Sequence, residues 1–382
     1  MPCGQEDVQR QSVCPSRAPL EKHLFANFFF PLWLLHCCAS ENSQGQSIEP
    51  VTVKGVWVLS AEGKPFPPGK FKRGLQPSGL AFRKGELWSI GDQRSEFPGT
   101  LFRIDPGTGR LLGLPVPLEL PARAGGERKD FAEFRGIPGG NPDFEGLALV
   151  PGNPNRFVAI TEDKTSWVVD IRIEESGSGH RARIAQLTRI SFPAELKSWR
   201  EDSNYRFEGC AVSDDSKTLY LAFERTEDEL PRVYQAPLEL ACSGTPLEIK
   251  EIPLPFAAVP RRAGKEQARL NLNDIQFFRL NGRCALVAVL RDQERLCILD
   301  LERNDIPRIV DLNLIDPQGE RLEWASPEGV ALDPATGRLW IVNDPDSVGT
   351  NYRARKDAQP AGEYANYSPL LFELGDGCLV KP

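Results

Sequence analysis

The sequence has little histidine, which many hydrolases and metalloenzymes depend on. Only three of its 382 residues are His: His23, His36 and His180. The first two lie in the N-terminal region, and His180 sits in a Gly/Ser-rich stretch that we expect to be an exposed loop. A Ser-His-Asp triad and a His-ligated zinc site both need His beside their other members. Both kinds of site are therefore disfavoured.

Positive charge is also not concentrated anywhere in the sequence. The chain has 46 Lys and Arg against 53 Asp and Glu, a net charge of −7. Nucleic-acid binders usually carry a basic stripe, so we expect no nucleic-acid partner. We find no phosphate-binding Gly loop, dinucleotide fingerprint or G-x-S-x-G elbow, and so expect no organic cofactor.

Long apolar runs are missing except for residues 24–35, which span 12 residues and include Pro31. A membrane-spanning helix needs roughly 20 apolar residues, so we expect no membrane span. The run fits the apolar region of a signal peptide, because basic residues precede it and small residues follow it. We predict an N-terminal extension and signal peptide over 1–40, a linker over 41–50, and export to the periplasm or the cell exterior.

Two features of the N-terminal region leave alternatives open. The first 40 residues could instead be a disordered N-terminus followed by a buried apolar segment. Cys37 invites a lipoprotein anchor, but His36 stands where lipoprotein signals prefer a small residue, so the anchor is the weaker reading.

Nine cysteines are present, and the five beyond residue 40 are scattered: Cys210, Cys242, Cys284, Cys297 and Cys378. None forms a C-x-x-C pair or shows zinc-ligand spacing. An odd number in an exported protein leaves at least one free thiol. We favour buried, unpaired cysteines.

A short motif recurs along most of the chain. Its alignment positions, 79, 146, 209, 274 and 329, give spacings of 67, 63, 65 and 55 residues. Each repeat opens with a short apolar strand, continues through a turn into a second β-rich strand, and leaves room for two more. Four-stranded units of this size, repeated around a ring, are typical of propeller blades.

The fold prediction is therefore an all-β, five-bladed β-propeller occupying residues 51–382 as a single domain. The last repeat has room for only about three strands, and residues 51–59 form a strand without a repeat of their own. We expect this N-terminal strand to close the last blade and remove the open edges of the ring. Six blades are the alternative, if the connection 110–140 contains another blade.

Polar residues occupy two columns of the repeat. The start of the first strand carries Ser78, Glu145, Glu208, Asn273 and Glu328. The end of the second strand carries Asp92, Glu162, Glu224, Arg291 and Asp344. In the fourth repeat Asp274 replaces the glycine that follows the first column. Because the two strands are antiparallel neighbours, both columns should meet at one mouth of the central channel.

Carboxylates that converge on one space repel each other, so a cation, raised pKa values or nearby basic residues must compensate. Nearby basic residues are Arg94, Lys164, Arg225 and Arg291. Oxygen-rich rings suit Ca²⁺ or Mg²⁺, and the candidate metal ligands are Glu145, Glu208, Glu328 and Asp344. Two other readings remain open. The glutamates could accept backbone N–H bonds and join the blades, or they could act directly in catalysis.

The repeated motifs resemble a known group of propellers. Ser78-Gly79-Leu80-Ala81, Phe207-Glu208-Gly209 and Pro327-Glu328-Gly329-Val330-Ala331, with their acidic second-strand ends, are similar to the phytase-like family named for an esterase-like activity of phytase. They are also similar to the SdiA-regulated family. The resemblance covers roughly residues 50–375. It implies an exported propeller, calcium binding, and phosphoester or ester hydrolysis. Blade four departs from the pattern, which puts a symmetric metal ring in doubt.

The sequence therefore favours an exported propeller with an acidic mouth that binds a cation, a small molecule or an anionic ligand. The alternative is a calcium-dependent phosphoester or carboxylic ester hydrolase that uses the same mouth. Whether the protein is an enzyme stays open at this point. We expect a monomer, because a closed ring has no evident need to assemble further.

Overall fold

In the computed structural model of this chain, β-strands dominate the described residues. These are residues 50–66, 74–120, 129–135, 142–163, 165–177, 179–193, 196, 206–303, 305–322, 324–345 and 368–375. All of them belong to one unit, Gln46–Pro382. The predicted signal peptide, Lys164 and Cys378 lie outside the described residues.

The strands form antiparallel groups that follow the sequence repeat. The first group contains β2 (Pro77–Arg83), β3 (Glu86–Gly91), β4 (Thr100–Ile104) and β5 (Val116–Glu119). The second contains β6 (Phe144–Leu149), β7 (Arg156–Thr161), β8 (Trp167–Ser176) and β9 (Gly179–Ser191). The third contains β10 (Phe207–Val212), β11 (Thr218–Phe223), β12 (Arg232–Pro237) and β14 (Lys250–Ile252). The short β13 (Leu247–Glu248) precedes β14 in the chain but pairs in parallel with β9 of the second group.

Two further groups complete the described strands. The fourth contains β15 (Leu272–Leu280), β16 (Arg283–Leu290), β17 (Arg295–Asp300) and β18 (Arg308–Ile315). The last contains β19 (Pro327–Leu332), β20 (Leu339–Asn343), β21 (Leu370–Leu374) and β1 (Val51–Trp57). The helical segments that the structure describes are short and include α1 (Lys129–Arg135), α2 (Leu238–Ala241) and a 3-10 turn (Phe256–Ala258).

Parallel pairs join neighbouring groups into larger sheets. β5 pairs in parallel with β9, and β1 pairs in parallel with β18, so the described strands form three hydrogen-bonded sheets. The sequence repeat predicts separate four-stranded units instead. The difference arises because outer strands keep unpaired backbone N–H and C=O groups, which can bond to the edge of the next group.

The N-terminal strand completes the last group. Gly55, Val56 and Trp57 of β1 stand opposite Phe372, Leu371 and Leu370 of β21. The second half of β1 thus pairs with the last described strand, as predicted for the N-terminal strand, whereas its first half, Val51–Lys54, pairs with β18 of the fourth group. The β1–β21 pair joins sequence-distant ends of the described chain and covers an edge of the last group.

The first strands of the groups close a ring around the molecular centre. β2 contacts β6, β6 contacts β10, β10 contacts β15, β15 contacts β19, and β19 contacts β2. Glycine permits this close approach: a Cβ atom on Gly146 would lie 2.8 Å from the backbone N of Cys210, and one on Gly209 would lie 2.6 Å from the Cα of Asp274. Sheets arranged in this way around a central ring describe an all-β propeller.

Apolar clusters lie between adjacent groups, as the alternating faces of the strands require. One cluster joins Phe278 and Val287 of the fourth group to Val330 and Phe372 of the last. His180, expected in an exposed loop, instead lies half-buried in β9 with its ring 5.4 Å from that of Trp88. Ser176 of β8 stands opposite Gly179 of β9, so the pairing of these two long strands brings His180 into the sheet. No described helix is long and apolar enough to cross a membrane.

Candidate functional site: an acidic channel mouth

A register shift in each first strand sets the direction of the first polar column. In β6 and β10, pairing skips from Phe144 to Gly146 and from Phe207 to Gly209. In β15 and β19 it skips from Leu272 to Asp274 and from Pro327 to Gly329. A bulged residue leaves the ladder and re-aims its side chain. The bulged residues include Glu145, Glu208, Asn273 and Glu328. In β2 the skipped residue is Gly79, so Ser78 stays paired.

The second polar column is fixed beside the first by a repeated backbone bond. The residue after each second strand donates its N–H to a carbonyl two positions before the first column. These bonds are Asp92 N to Gln76 O (3.2 Å), Glu162 N to Asp143 O (2.8 Å), Glu224 N to Arg206 O (2.8 Å), Arg291 N to Asn271 O (3.0 Å) and Asp344 N to Ser326 O (2.9 Å).

The two columns enclose a cavity of about 220 Å³ at one end of the ring. Most of the residues predicted for the mouth line this cavity: Asp92, Glu145, Glu162, Glu208, Glu224, Arg291, Glu328 and Asp344. Gln76, Pro77, Ser78 and Arg94 complete the lining. Asn273 and Asp274, also predicted for the mouth, are buried and do not belong to the lining.

On one side of the mouth, neighbouring side chains offset the charge of the glutamates. Arg291 donates to Glu328 at 3.0 Å and to Glu224 at 3.2 Å. The Asn273 amide donates to Glu328 at 2.7 Å and to Glu208 at 3.4 Å. Within the described residues, Glu208 and Glu328 thus receive their hydrogen bonds from side chains and not from backbone N–H groups.

The other side of the mouth holds a dense carboxylate group. Carboxylate oxygens of Asp143, Glu145 and Glu162 lie within 4.8 Å of one another. The Gln93 amide donates to Asp143, and an Arg206 N–H donates to the backbone carbonyl of Glu162 at 2.5 Å. This acidic triad comprises Asp143, Glu145 and Glu162, and it faces the cavity through the latter two residues.

Burial and mutual repulsion raise the pKa values of these acids. Burial, followed by the charge of Asp143, raises the pKa of Glu162 to about 8 and that of Asp92 to about 7. Burial, followed by Glu208, Asp143 and Glu162, raises the pKa of Glu145 well above its usual range. Near neutral pH the mouth therefore retains protons that solvent-exposed carboxyl groups would have released.

On the side of the mouth that contains Arg291, burial also raises the pKa values of the glutamates, although the positive charge of Arg291 opposes it. Burial raises the pKa of Glu328 to about 7, although the Arg291 guanidinium lowers it. Burial likewise raises the pKa of Glu224, with Arg291 opposing. Burial tends to lower the pKa of Arg291, but the surrounding glutamates raise it well above its usual value, so this residue stays charged.

Asp274 has the backbone-binding role considered for the glutamates. Its side chain is fully buried at the closest approach of the first strands, and it accepts N–H bonds from Val330 and Ile275 at 2.8 Å each. The Leu80 N–H also bonds to it. Asp274 therefore contacts the first strands of three groups and fills the centre of the ring below the mouth.

Several site residues belong to a third polar column of the repeat, which the sequence-based prediction did not include. Gln76, Asp143, Arg206, Asn271 and Ser326 all stand two positions before the first column, and their carbonyls accept the repeated backbone bond. The signal was present, but these positions precede the strands and are not flanked by the apolar pattern. Of the predicted basic residues, Arg94 lines the cavity, while Arg225 is buried against Glu229 at 2.7 Å and does not line it.

Of the four candidate metal ligands, only Glu145 belongs to the acidic triad. Glu208 and Glu328 are bound to Asn273, and Asp344 lies 3.5 Å from the Gln76 amide nitrogen. The four described cysteines, Cys210, Cys242, Cys284 and Cys297, are free thiols, and Cys210 and Cys297 are buried.

Comparison with known proteins places the chain in a family. No curated protein matches it by sequence. Among solved structures, it is similar to the β-propeller domain of Cps50 (Swd1) from Myceliophteria thermophila, with 9% identity, 77% of this chain and 68% of that chain covered, and a TM-score of 0.29. It is also similar to a GH43 β-1,3-galactosidase with galactodeoxynojirimycin, with 11% identity, 83% and 92% coverage, and a TM-score of 0.41.

The family comparison covers more of the chain than any single motif. The model of the SdiA-regulated family matches residues 137–348, more than half of the 382 residues. That range contains all four Glu-Gly and Asn-Asp strand starts with their bulges, and most of the acidic mouth. The likeness to the phytase-like family stays a prediction. By the match over residues 137–348, the chain belongs to the SdiA-regulated family.

Proposed function

We propose that this protein is a five-bladed propeller whose acidic mouth binds a divalent cation, with Ca²⁺ as the first candidate. The blade number is supported by the ring of first strands, in which β2, β6, β10, β15 and β19 succeed one another. Of the connection 110–140, the described residues contain only β5 and α1 as strand or helix, which favours five blades over six. On this reading, the parallel β5–β9 and β1–β18 pairs are contacts between neighbouring blades.

The observation that carries the cation proposal is the acidic triad. Calcium binds oxygen ligands at roughly 2.3–2.6 Å, so two ligands of one ion stand at most about 5 Å apart. The carboxylate oxygens of Asp143, Glu145 and Glu162 lie within 4.8 Å of one another, which meets this limit. The donor set is all oxygen, as Ca²⁺ and Mg²⁺ prefer and as zinc and copper do not.

The asymmetry of the mouth supports the choice of this side. Arg291 already occupies the space between Glu224 and Glu328, and a second cation there would be repelled. Arg94 also lines the mouth and is exposed. A cation at the triad and the Arg94 guanidinium would together hold a small anionic ligand.

Proton release should accompany cation binding. Glu162 has a pKa of about 8 and Asp92 one of about 7, and both must be ionised to attract a cation fully. Protons and the cation therefore compete, and the affinity should rise as the pH increases from 6 to 8. A site made of carboxylates with ordinary pKa values would show no such dependence over this range.

Calorimetric titration of the full chain with CaCl₂ at pH 6 and pH 8 tests the proposal. Glu145→Gln should weaken binding by about tenfold or more, since it removes one charged ligand at a cost of ~1.4 kcal/mol. Glu174→Gln is the matched control, because Glu174 is exposed and pairs with Arg183 at 2.8 Å. Equal affinity in both variants, or no heat and no rise in melting temperature with Ca²⁺, would refute a cation site at the triad.

A hydrolase remains the second candidate, and the carboxyl chemistry of the triad favours it. Raised pKa values allow one carboxyl group to hold a proton at neutral pH while its neighbour is ionised, as acid–base pairs require. Hydrolysis of p-nitrophenyl phosphate or acetate that needs Ca²⁺ and is lost in Glu162→Gln would support this function. No turnover with Ca²⁺ or Mg²⁺ would oppose it. We also propose export, from the apolar run 24–35 and its flanking residues.

A further inference from the structure

A second cavity lies at the opposite end of the ring from the acidic mouth. It has a volume of about 540 Å³. Its walls come from the ends of first strands and from the turns that follow them, including Phe82, Leu149, Val212, Phe278 and Leu332. The first strands approach each other most closely at one position in each strand: Gly79, Gly146, Gly209, Asp274 and Gly329. Along each strand the pocket residues come after this position, whereas the residues of the first polar column come directly before it.

Asp274 and the glycines separate the two cavities. A Cβ atom on Gly209 would lie 2.6 Å from the Asp274 side chain, and one on Gly79 would lie 2.3 Å from the backbone N of Leu147. The first strands are therefore in contact at this level. The second cavity is consequently a pocket in its own right and not an extension of the acidic mouth.

The charge of this pocket differs from that of the mouth. Among the described lining residues, the charged side chains are Asp214 and Arg279. They neutralise each other through two bonds of 2.7 Å each. Gln276 and Asn281 supply uncharged polar groups. The lining thus offers hydrogen bonds but no uncompensated charge, so an ion would lose its hydration without gaining a counter-charge.

Aromatic side chains of the pocket are held in place by neighbours. The Phe82 ring stacks on Trp340 with centroids 5.1 Å apart, and the Phe277 ring stacks on Tyr220 at 5.9 Å. Such fixed rings present a ready apolar surface, and little conformational entropy is lost when a ligand binds to it. The apolar part of the wall also holds water poorly.

We propose that this pocket binds an uncharged small molecule with an aromatic or aliphatic body. The volume falls inside the range of roughly 300–1,000 Å³ that is usual for small-molecule sites. The apolar walls would cover the body of the ligand, and Gln276 would bond to a single polar group on it. This site is independent of the cation proposed at the acidic mouth.

The test uses the uncharged fluorophore N-phenyl-1-naphthylamine, whose emission rises in apolar surroundings, with the full chain. The wild type should bind it saturably with one site per chain. Leu149→Trp and Leu280→Trp should each fill part of the pocket and weaken binding about tenfold or more, equivalent to ~1.4 kcal/mol. Leu114→Trp is the matched control, because Leu114 is 87% exposed and does not line the pocket.

Melting curves of each variant separate lost binding from lost folding. A variant with the wild-type melting temperature and weakened probe binding supports the pocket. Should both filling variants unfold, energy transfer from tryptophan to the bound probe gives a second measure. It should fall in Trp340→Phe, since Trp340 stacks against the pocket wall. Unsaturable binding by the wild type, equal affinity in folded filling variants and control, or unchanged energy transfer would overturn the proposal.

Discussion

The acidic mouth predicts an unusual dependence of stability on pH, and Glu328 allows its size to be worked out. The folded protein raises the pKa of this residue from 4.5 to about 7, with burial as the main cause. Below pH 4.5 the residue is protonated in both the folded and the unfolded chain. Between pH 4.5 and 7 the unfolded chain loses the proton first, so folding must take one up and the free energy of unfolding falls.

The magnitude follows from the difference of about 2.5 between the two pKa values, at ~1.4 kcal/mol for each. This gives about 3.5 kcal/mol. The side chain is 16% exposed, so solvent screens part of the effect, and we expect about 2–3 kcal/mol from this residue. Asp92, Asp163 and Glu162, with pKa values of about 7, 6 and 8, act in the same direction. Their contributions do not add, because neighbouring acids share their repulsion.

Urea unfolding at pH 5, 6, 7 and 8, with a chelator present, measures this effect. The wild type should be most stable near pH 5 and lose several kcal/mol by pH 8. Glu328→Gln should reduce that loss, because the amide keeps an oxygen acceptor for Arg291 and Asn273 but cannot ionise. Glu373→Gln, on the exposed face of β21, should leave it unchanged. Stability that stays flat or increases from pH 5 to pH 8 would refute the reasoning about the mouth.

Three further predictions concern the ring and its centre. Gly209→Ala should destabilise the protein by about 1–3 kcal/mol or more, since the new methyl group meets the Asp274 backbone at 2.6 Å, whereas Gly179→Ala, with open space around it, should change stability little in urea melts. Asp274→Ala should cost about 1–3 kcal/mol by leaving the buried Val330 N–H without its acceptor, and faster amide exchange at Val330 would report the loss. Arg291→Met should tighten Ca²⁺ binding in calorimetry while lowering stability at pH 8 more than at pH 5, because protonated glutamates need no counter-charge; weaker binding would contradict the role given to this arginine.

The repeat and the two polar columns could be predicted from the sequence because both depend on local patterns. Apolar strands, turns and the residue before Gly146 or Gly209 recur at nearly constant spacing. Antiparallel pairing then brings columns one and two together without further information. The pairing of β1 with β21 could also be predicted, since each would otherwise leave an open edge.

Other features depend on contacts that no local pattern marks. The parallel β5–β9 pair forms between outer strands whose sequences share no motif, so the joining of groups into three sheets could not be anticipated. Asp143 belongs to the third polar column and precedes its strand, so the strand pattern did not mark it as a site residue. The assignment of the backbone-binding role to Asp274 required knowing that three first strands meet at that residue.

The division of roles within the mouth bears on whether the acids are structural. Asp274 is buried with backbone N–H partners, which is what a residue joining the blades needs. Glu145 has no such partners among the described residues, and its pKa is raised first by burial and then by three neighbouring acids. A purely structural residue in that position would be improved by replacement with glutamine, which keeps the shape and removes the repulsion. A carboxylate that destabilises the fold is useful where a bound cation reverses the effect. Without Ca²⁺, Glu145→Gln should therefore be more stable than the wild type. With saturating Ca²⁺, it should be less stable than the wild type. Melting curves with chelator and with Ca²⁺ measure both signs, and a variant that is more stable under both conditions would assign Glu145 a role other than cation binding.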